Sequence, residues 1–172
     1  MRGSKMRAFL VFLIALVAIL HFSNQIEWHE STKDIPRVSQ GQATLFDGEM
    51  GKGMLITSID ATKEYIYVAY ASPGVVAVYD WEGTYQYSIA FYSDTNGTLR
   101  MRCKAGLLFV HDYAGFELVF SGREQLSVLS PSEVSHAVVW FTTEREIPLV
   151  IRNGMLYEDS GRFIMHLPGR LE

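Results

Sequence analysis

The sequence lacks the residue patterns that most directly indicate a disulfide framework, a metal site or a hydrolytic site. It has a single cysteine, Cys103, so no disulfide can form within the chain. No two of its five histidines have the spacing of a metal site, and there is no Gly-x-Ser-x-Gly nucleophile elbow. The sequence therefore predicts no catalytic residues, no metal and no cofactor, and it favours a protein that is not an enzyme.

Negative charge is missing from the first part of the chain. No acidic residue precedes residue 23, whereas Arg2, Lys5 and Arg7 stand at the N-terminus. Residues 23–172 carry 12 basic and 19 acidic side chains, a net charge of −7. Such an acidic body repels phosphate backbones, which argues against nucleic acid as a partner.

One long hydrophobic run follows those cations. Residues 8–20 read AFLVFLIALVAIL without a charge, and in lipid such a run becomes a helix because every backbone amide needs an internal partner. Thirteen helical residues rise only about 20 Å, less than a hydrocarbon core of roughly 30 Å. Lys5 and Arg7 can extend the span by snorkelling, and His21 with Phe22 can lie at the other interface.

The flanks of this run favour an uncleaved signal anchor over residues 8–22. No small-x-small cleavage signal follows it, although its length also fits a cleaved signal peptide or a buried helix. By the positive-inside rule, residues 1–7 are expected in the cytoplasm and the rest outside. We therefore expect a single-pass protein of the cell membrane whose C-terminal domain is extracytoplasmic.

The rest of the chain divides into a polar linker and a domain of β-strands. Residues 23–48 show neither helical nor strand periodicity and are expected to form a juxtamembrane linker. Residues 49–172 alternate between short β-branched or aromatic runs and turn residues, which is typical of an antiparallel meander. The strand around Leu99–Ala105 is expected to bury one face and expose the other, and Asn96-Gly97 predicts a two-residue hairpin turn.

An internal repeat of strand, glycine turn and strand runs through this β domain. The first copy contains Ile66–Tyr70, Gly74, Val76–Asp80 and Glu82-Gly83; the second Leu108–Asp112, Gly115, Leu118–Phe120 and Gly122; the third Gly154–Tyr157, Gly161, Phe163–Met165 and Gly169. The first two copies lie 41 to 42 residues apart and the third follows after 46 to 48. Periods of this size are typical of architectures built from repeated sheets.

The repeat resembles the blades of a β-propeller, particularly the NHL-like and other six-bladed types. The resemblance implies an antiparallel meander of partial propeller-like repeats. Together with the hydrophobic run, it leads us to expect an all-β fold preceded by one N-terminal transmembrane helix. Only about three copies fit, whereas closed propellers have about four or more blades. The incomplete set implies an open sheet assembly or self-association of copies that completes a ring, and it carries over no site residues.

Three features are candidates for chemistry. Arg100, Arg102 and Lys104 form a basic stripe that predicts an anion-binding surface, with a solvated strand face as the alternative. His111-Asp112 suggests an acid–base pair, but it falls in a strand of the repeat, which favours a structural role. A set of aromatic residues fits either a sheet core or exposed rings that bind sugars or a partner: Tyr65, Tyr67, Tyr79, Trp81, Tyr85, Tyr87 and Tyr92.

These features together predict a membrane-tethered extracytoplasmic binding or interaction module. Its expected contacts are the membrane, a protein or cell-surface ligand, and other copies of the chain. Two alternatives remain open: a small hydrolase or lyase acting on envelope carbohydrate, and a degenerate propeller fragment without an activity of its own.

Overall fold

The chain folds mainly into antiparallel β-sheets, which confirms the predicted all-β class. The computed structural model describes residues 9–10, 12–18, 20, 34–50, 54–94, 99–134 and 147–171. In chain order the strands are β1 (Ala43–Phe46), β2 (Leu55–Ala61), β3 (Ile66–Tyr70), β4 (Val75–Tyr79), β5 (Tyr85–Phe91), β6 (Arg100–Lys104), β7 (Leu107–His111), β8 (Glu117–Ser121), β9 (Glu124–Leu129), β10 (Leu149–Arg152), β11 (Met155–Glu158), β12 (Phe163–His166) and β13 (Arg170–Leu171). The predicted Asn96-Gly97 turn lies outside the described residues.

The strands form three sheets in chain order, except that the last strand, β13, returns to the first sheet. The first sheet has the order β1-β5-β4-β3-β2-β13, the second β6-β7-β8-β9 and the third β10-β11-β12. All pairs are antiparallel except β13 with β2, which is parallel. Strand β1 lies within the segment that the sequence predicts to be a linker, and it extends the first sheet by pairing with β5.

The first sheet lies between the other two because its central strands are apolar on both faces. All residues of β3 and β4 are buried. On one face, Val68 and Ala77 belong to a core shared with Leu156 and Ile164 of the third sheet. The opposite face packs against the second sheet through a separate core, whose members include Tyr67, Val76, Val78, Leu108, Val110 and Phe120. The molecule is thus a stack of three sheets with two hydrophobic cores.

Two hairpin turns of the same kind join strands in the second and third sheets. Ala105-Gly106 connects β6 to β7 and Asn153-Gly154 connects β10 to β11, with positive φ at all four residues. Two consecutive positive φ values define the turn whose twist matches that of antiparallel strands. Asn153-Gly154 has the composition that favours this turn, whereas Ala105 adopts φ +51° without that advantage.

An acidic turn of one geometry occurs in all three sheets. The turn begins at Asp80, Asp112 or Glu158. The backbone carbonyl of this residue accepts a hydrogen bond from the N–H of the glycine three residues later, and its backbone N–H donates to the carbonyl four residues later. The three glycines have φ values from +79° to +90°, a region that favours glycine. The turn joins the third and fourth strands of the first sheet's meander β2–β5, but the second and third strands of the other two sheets.

We expect Asp112→Ala to lower the free energy of unfolding by about 3 kcal/mol. Its buried carboxylate accepts backbone N–H groups from Ala114, Phe116 and the distant Gly41, all within 3.0 Å. Glu158→Ala changes the equivalent turn position, where the side chain contacts only Ser160 and Arg162, so it should cost much less. Denaturant unfolding of both variants checks this; equal losses would contradict the role of Asp112.

The N-terminal helix comprises the described residues 9–10, 12–18 and 20. Its large apolar side chains are between 42% and 66% exposed, and none of the described ones belongs to either hydrophobic core. Among the described residues, no helix combines the length and the hydropathy that crossing a membrane requires.

Candidate functional site

The basic stripe predicted from the sequence lies along the outward face of β6. Met101 and Cys103 point into the core, while Arg100 is exposed and Arg102 and Lys104 are half-buried. The Nε atom of Arg102 lies 3.7 Å from Oδ2 of Asp60, a carboxylate that is only 2% exposed. Arg102 is therefore already paired within the protein, and anion binding by the stripe stays a prediction.

Asp60 also accepts a hydrogen bond from β6, the edge strand of the second sheet. Its Oδ2 accepts the N–H of Cys103 at 2.9 Å and its Oδ1 accepts the N–H of Ala61 at the same distance. Because β6 is an edge strand, this carboxylate occupies a backbone donor that would otherwise lack a strand partner. Asp60 belongs to β2, so it ties the first sheet to the second.

His111 and Asp112 do not form a shared acid–base unit. Nε2 of His111 lies 3.2 Å from Oε2 of Glu117 on the neighbouring strand, whereas both Asp112 oxygens bind backbone N–H groups. In the part of the chain that the structure describes, no group of three His, Cys, Asp or Glu side chains is placed to hold a metal ion. The contacts of His111 and Asp112 link neighbouring strands and turns of the protein itself.

Most of the aromatic side chains predicted near the centre of the domain lie in its cores. Tyr67, Tyr70, Tyr79 and Tyr87 are almost completely buried. Burial raises the pKa of all four phenols, that of Tyr87 to about 12, because the phenolate loses its hydration. Among the described residues, the buried hydroxyl of Tyr87 has no hydrogen-bond partner, whereas the phenols of Tyr70 and Tyr79 interact with each other. These rings therefore cannot stack on an external ligand.

A different group of aromatic side chains is exposed on the third sheet. Leu149, Ile151 and Leu156 pack against the first sheet, so the alternate residues of β10 and β11 point outward. A bulge in the pairing of β11 with β12 turns both Ile164 and Met165 inward and leaves Phe163 and His166 outward. We call the six outward residues the aromatic platform: Val150, Arg152, Met155, Tyr157, Phe163 and His166.

The strand register arranges the platform in two rows across the sheet. Val150, Tyr157 and Phe163 are successive cross-strand partners in one row, and Arg152, Met155 and His166 in the other. The Phe163 ring is 48% exposed and lies edge-to-face with Tyr157 at 5.7 Å and with His166 at 5.4 Å. The platform is therefore a continuous strip of three rings on a rigid sheet.

Arg152 is the charged group of the platform. It is exposed, and it makes no ion pair or hydrogen bond with any residue in the described ranges. By contrast, the nearby Arg162 is engaged, with its Nε 3.0 Å from Oε1 of Glu158. The platform thus combines exposed aromatic rings with an available guanidinium, which can bind a carboxylate through two parallel N–H bonds.

Two clefts elsewhere in the molecule offer less for recognition. One, of about 540 Å³, lies between the Thr62–Glu64 loop, the Ala105-Gly106 turn and Ser121. The other, of about 460 Å³, lies between residues 35–38, the Ser72-Pro73 turn and residues 91–93. No aromatic residue in the described ranges lines the first, and the second has Phe91 and Tyr92 beside Arg37, but Phe91 belongs to the core between the first and second sheets.

No family model, no curated protein and no solved structure matches this chain.

Proposed function

We propose that this protein is a membrane-tethered binding module whose β-sheet body lies outside the cytoplasm and contacts its ligand through the aromatic platform. The observation that carries this proposal is a strip of three outward-facing rings, in which the exposed Phe163 contacts both Tyr157 and His166, beside a guanidinium that makes no described ion pair. Aromatic and arginine side chains supply most of the binding energy at recognition surfaces. A solvated sheet face does not need three adjacent rings, and contiguous exposed apolar patches often mark interaction sites.

The N-terminal helix supports the tether. Its apolar side chains are exposed on consecutive residues, so its apolar surface is not confined to one face as it is in an amphipathic helix. Transfer of each large apolar side chain from water to an apolar phase stabilises by about 1.5 to 3 kcal/mol. With the preceding cations retained in the cytoplasm, the β-sheet body would lie on the other side of the membrane.

The repeat supports a propeller-like origin of the body. The second sheet is a four-stranded meander with the strand order of a propeller blade, and β2 to β5 form another within the first sheet. The third sheet repeats the two-residue hairpin and the acidic turn of the second. We propose that these three meanders are blade-like units of an open assembly.

Cross-linking in the native membrane tests the binding role. We expect the wild-type protein to be cross-linked to a specific partner or ligand, and Phe163→Ala to reduce that product at least about fivefold by removing an exposed anchor ring. Leu126→Ala is the matched control because Leu126 is 49% exposed on β9 of the second sheet, away from the platform. Equal products from both variants would show that the platform is not the binding surface.

Sidedness is tested separately with a reporter fused to the C-terminus. A reporter that requires an extracytoplasmic location should be active in the fusion. Activity only of a cytosolic reporter would contradict the tether and the location together.

A further inference from the structure

We infer that the ligand of the aromatic platform is an acidic polysaccharide, bound by ring stacking on its sugars and by a charge-assisted contact from Arg152 to a carboxylate. The inference rests on the proposed function, since it names the ligand class of the same surface.

The arrangement of groups on the platform fits a polymer that crosses the strands. Arg152 lies on β10 and His166 on β12, the two edge strands of the third sheet. The guanidinium and the imidazole are therefore at opposite edges, about 10 Å apart. The rings of Tyr157 and Phe163 form the adjacent row. A chain of linked pyranoses can therefore contact rings along its apolar C–H faces while its acid groups meet the sheet edges.

Local charge favours an anionic ligand at the platform, although the β-sheet body as a whole is acidic. Residues 147–171 contain three arginines and two carboxylates, whereas residues 23–172 as a whole carry a net charge of −7. Arg152, the arginine of the platform, makes no described ion pair, and a guanidinium matches a carboxylate in shape as well as in charge. The platform is thus a local basic and aromatic surface on an acidic protein.

The same facts argue against an extended peptide and against an anionic bilayer. A peptide that adds a strand uses backbone groups at a sheet edge, whereas the platform presents side chains on a sheet face. A broad anionic surface would also approach the carboxylate of Asp159, in the turn next to the platform, and the negative body behind it. A single polymer chain covers a smaller area than a bilayer, so it approaches fewer of those charges.

Binding of two chemically matched polymers tests the inference. Polygalacturonate and its methyl ester share a backbone but differ in charge, and each is titrated against the full-length protein in neutral detergent. We expect saturable binding of the acid and at least about tenfold weaker binding of the ester. Arg152→Gln and Phe163→Ala should each weaken binding of the acid by about tenfold.

The control variant is Arg162→Gln, which removes an exposed arginine from the same sheet that is already paired with Glu158. It should change the affinity less than about twofold. Near-ultraviolet circular dichroism confirms that all three variants are folded, as expected for changes at exposed side chains.

Four results would overturn the inference. They are equal binding of acid and ester, an equal effect of Arg162→Gln and Arg152→Gln, binding of phosphatidylglycerol vesicles without binding of the acid polymer, and no binding of either polymer. If neither polymer binds but Phe163→Ala still abolishes the native cross-link, the ligand class is wrong while the proposed binding function stands.

Discussion

Replacement of Asp60 by alanine is expected to lower the free energy of unfolding by about 3 to 5 kcal/mol. The buried carboxylate accepts the N–H groups of Ala61 and Cys103 and lies 3.7 Å from the Arg102 guanidinium. Without it, two backbone donors lose an acceptor and a mostly buried cation loses a counter-charge. Each of these losses is costly because water cannot replace the missing partner at a buried site.

The Asp60→Asn variant separates charge from hydrogen bonding. An asparagine keeps one carbonyl acceptor for a backbone N–H but removes the negative charge near Arg102, so an intermediate loss is expected. Denaturant unfolding of wild type, Asp60→Ala and Asp60→Asn gives the comparison. A loss below about 1 kcal/mol for Asp60→Ala would show that the link between the first and second sheets does not depend on this carboxylate.

The sequence predicted strands well because their pattern is local. Leu99, Met101, Cys103 and Ala105 were expected on one face of a strand. The first three are buried, whereas Ala105 is exposed in the turn between β6 and β7. The wholly apolar run at Tyr65–Tyr70 was expected to form an interior strand, and β3 is buried on both faces. Alternation and apolar runs are properties of neighbouring residues, so they can be read without tertiary information.

The contacts of Asp60 and Asp112 could not be predicted in the same way. Asp60 binds a backbone group 43 residues away and Asp112 binds one 71 residues away. Nothing in the local sequence distinguishes these carboxylates from solvated ones. The partners are brought together only by the packing of one sheet against the next.

The aromatic platform carries a sequence signal that was missed. Val150 and Arg152, then Met155 and Tyr157, alternate with inward-pointing residues around the Asn153-Gly154 turn, which is a typical hairpin pattern. Which face lies inward depends on how the third sheet packs against the first. The bulge that places Phe163 and His166 on the same face also depends on tertiary structure.

The buried tyrosines predict a second large effect, loss of the fold in alkali. Burial raises the pKa of Tyr67, Tyr70, Tyr79 and Tyr87 above the ordinary value of 10, that of Tyr87 to about 12. The unfolded chain therefore releases these protons at lower pH than the folded chain. Their contribution to stability is complete below pH 10 and is lost as the pH rises towards and beyond 12.

Phenolate absorbance and near-ultraviolet circular dichroism, followed together against pH, measure this effect. We expect part of the absorbance of the nine tyrosines to be delayed and then to appear cooperatively as the dichroism is lost. In concentrated guanidinium the delay should vanish because the phenols are solvated. Tyr87→Phe removes a buried hydroxyl that has no hydrogen-bond partner among the described residues, so it should move the transition to higher pH. If every tyrosine ionises near pH 10 while the dichroism persists, these rings are hydrated in the folded protein and the two-core packing of the first sheet is wrong.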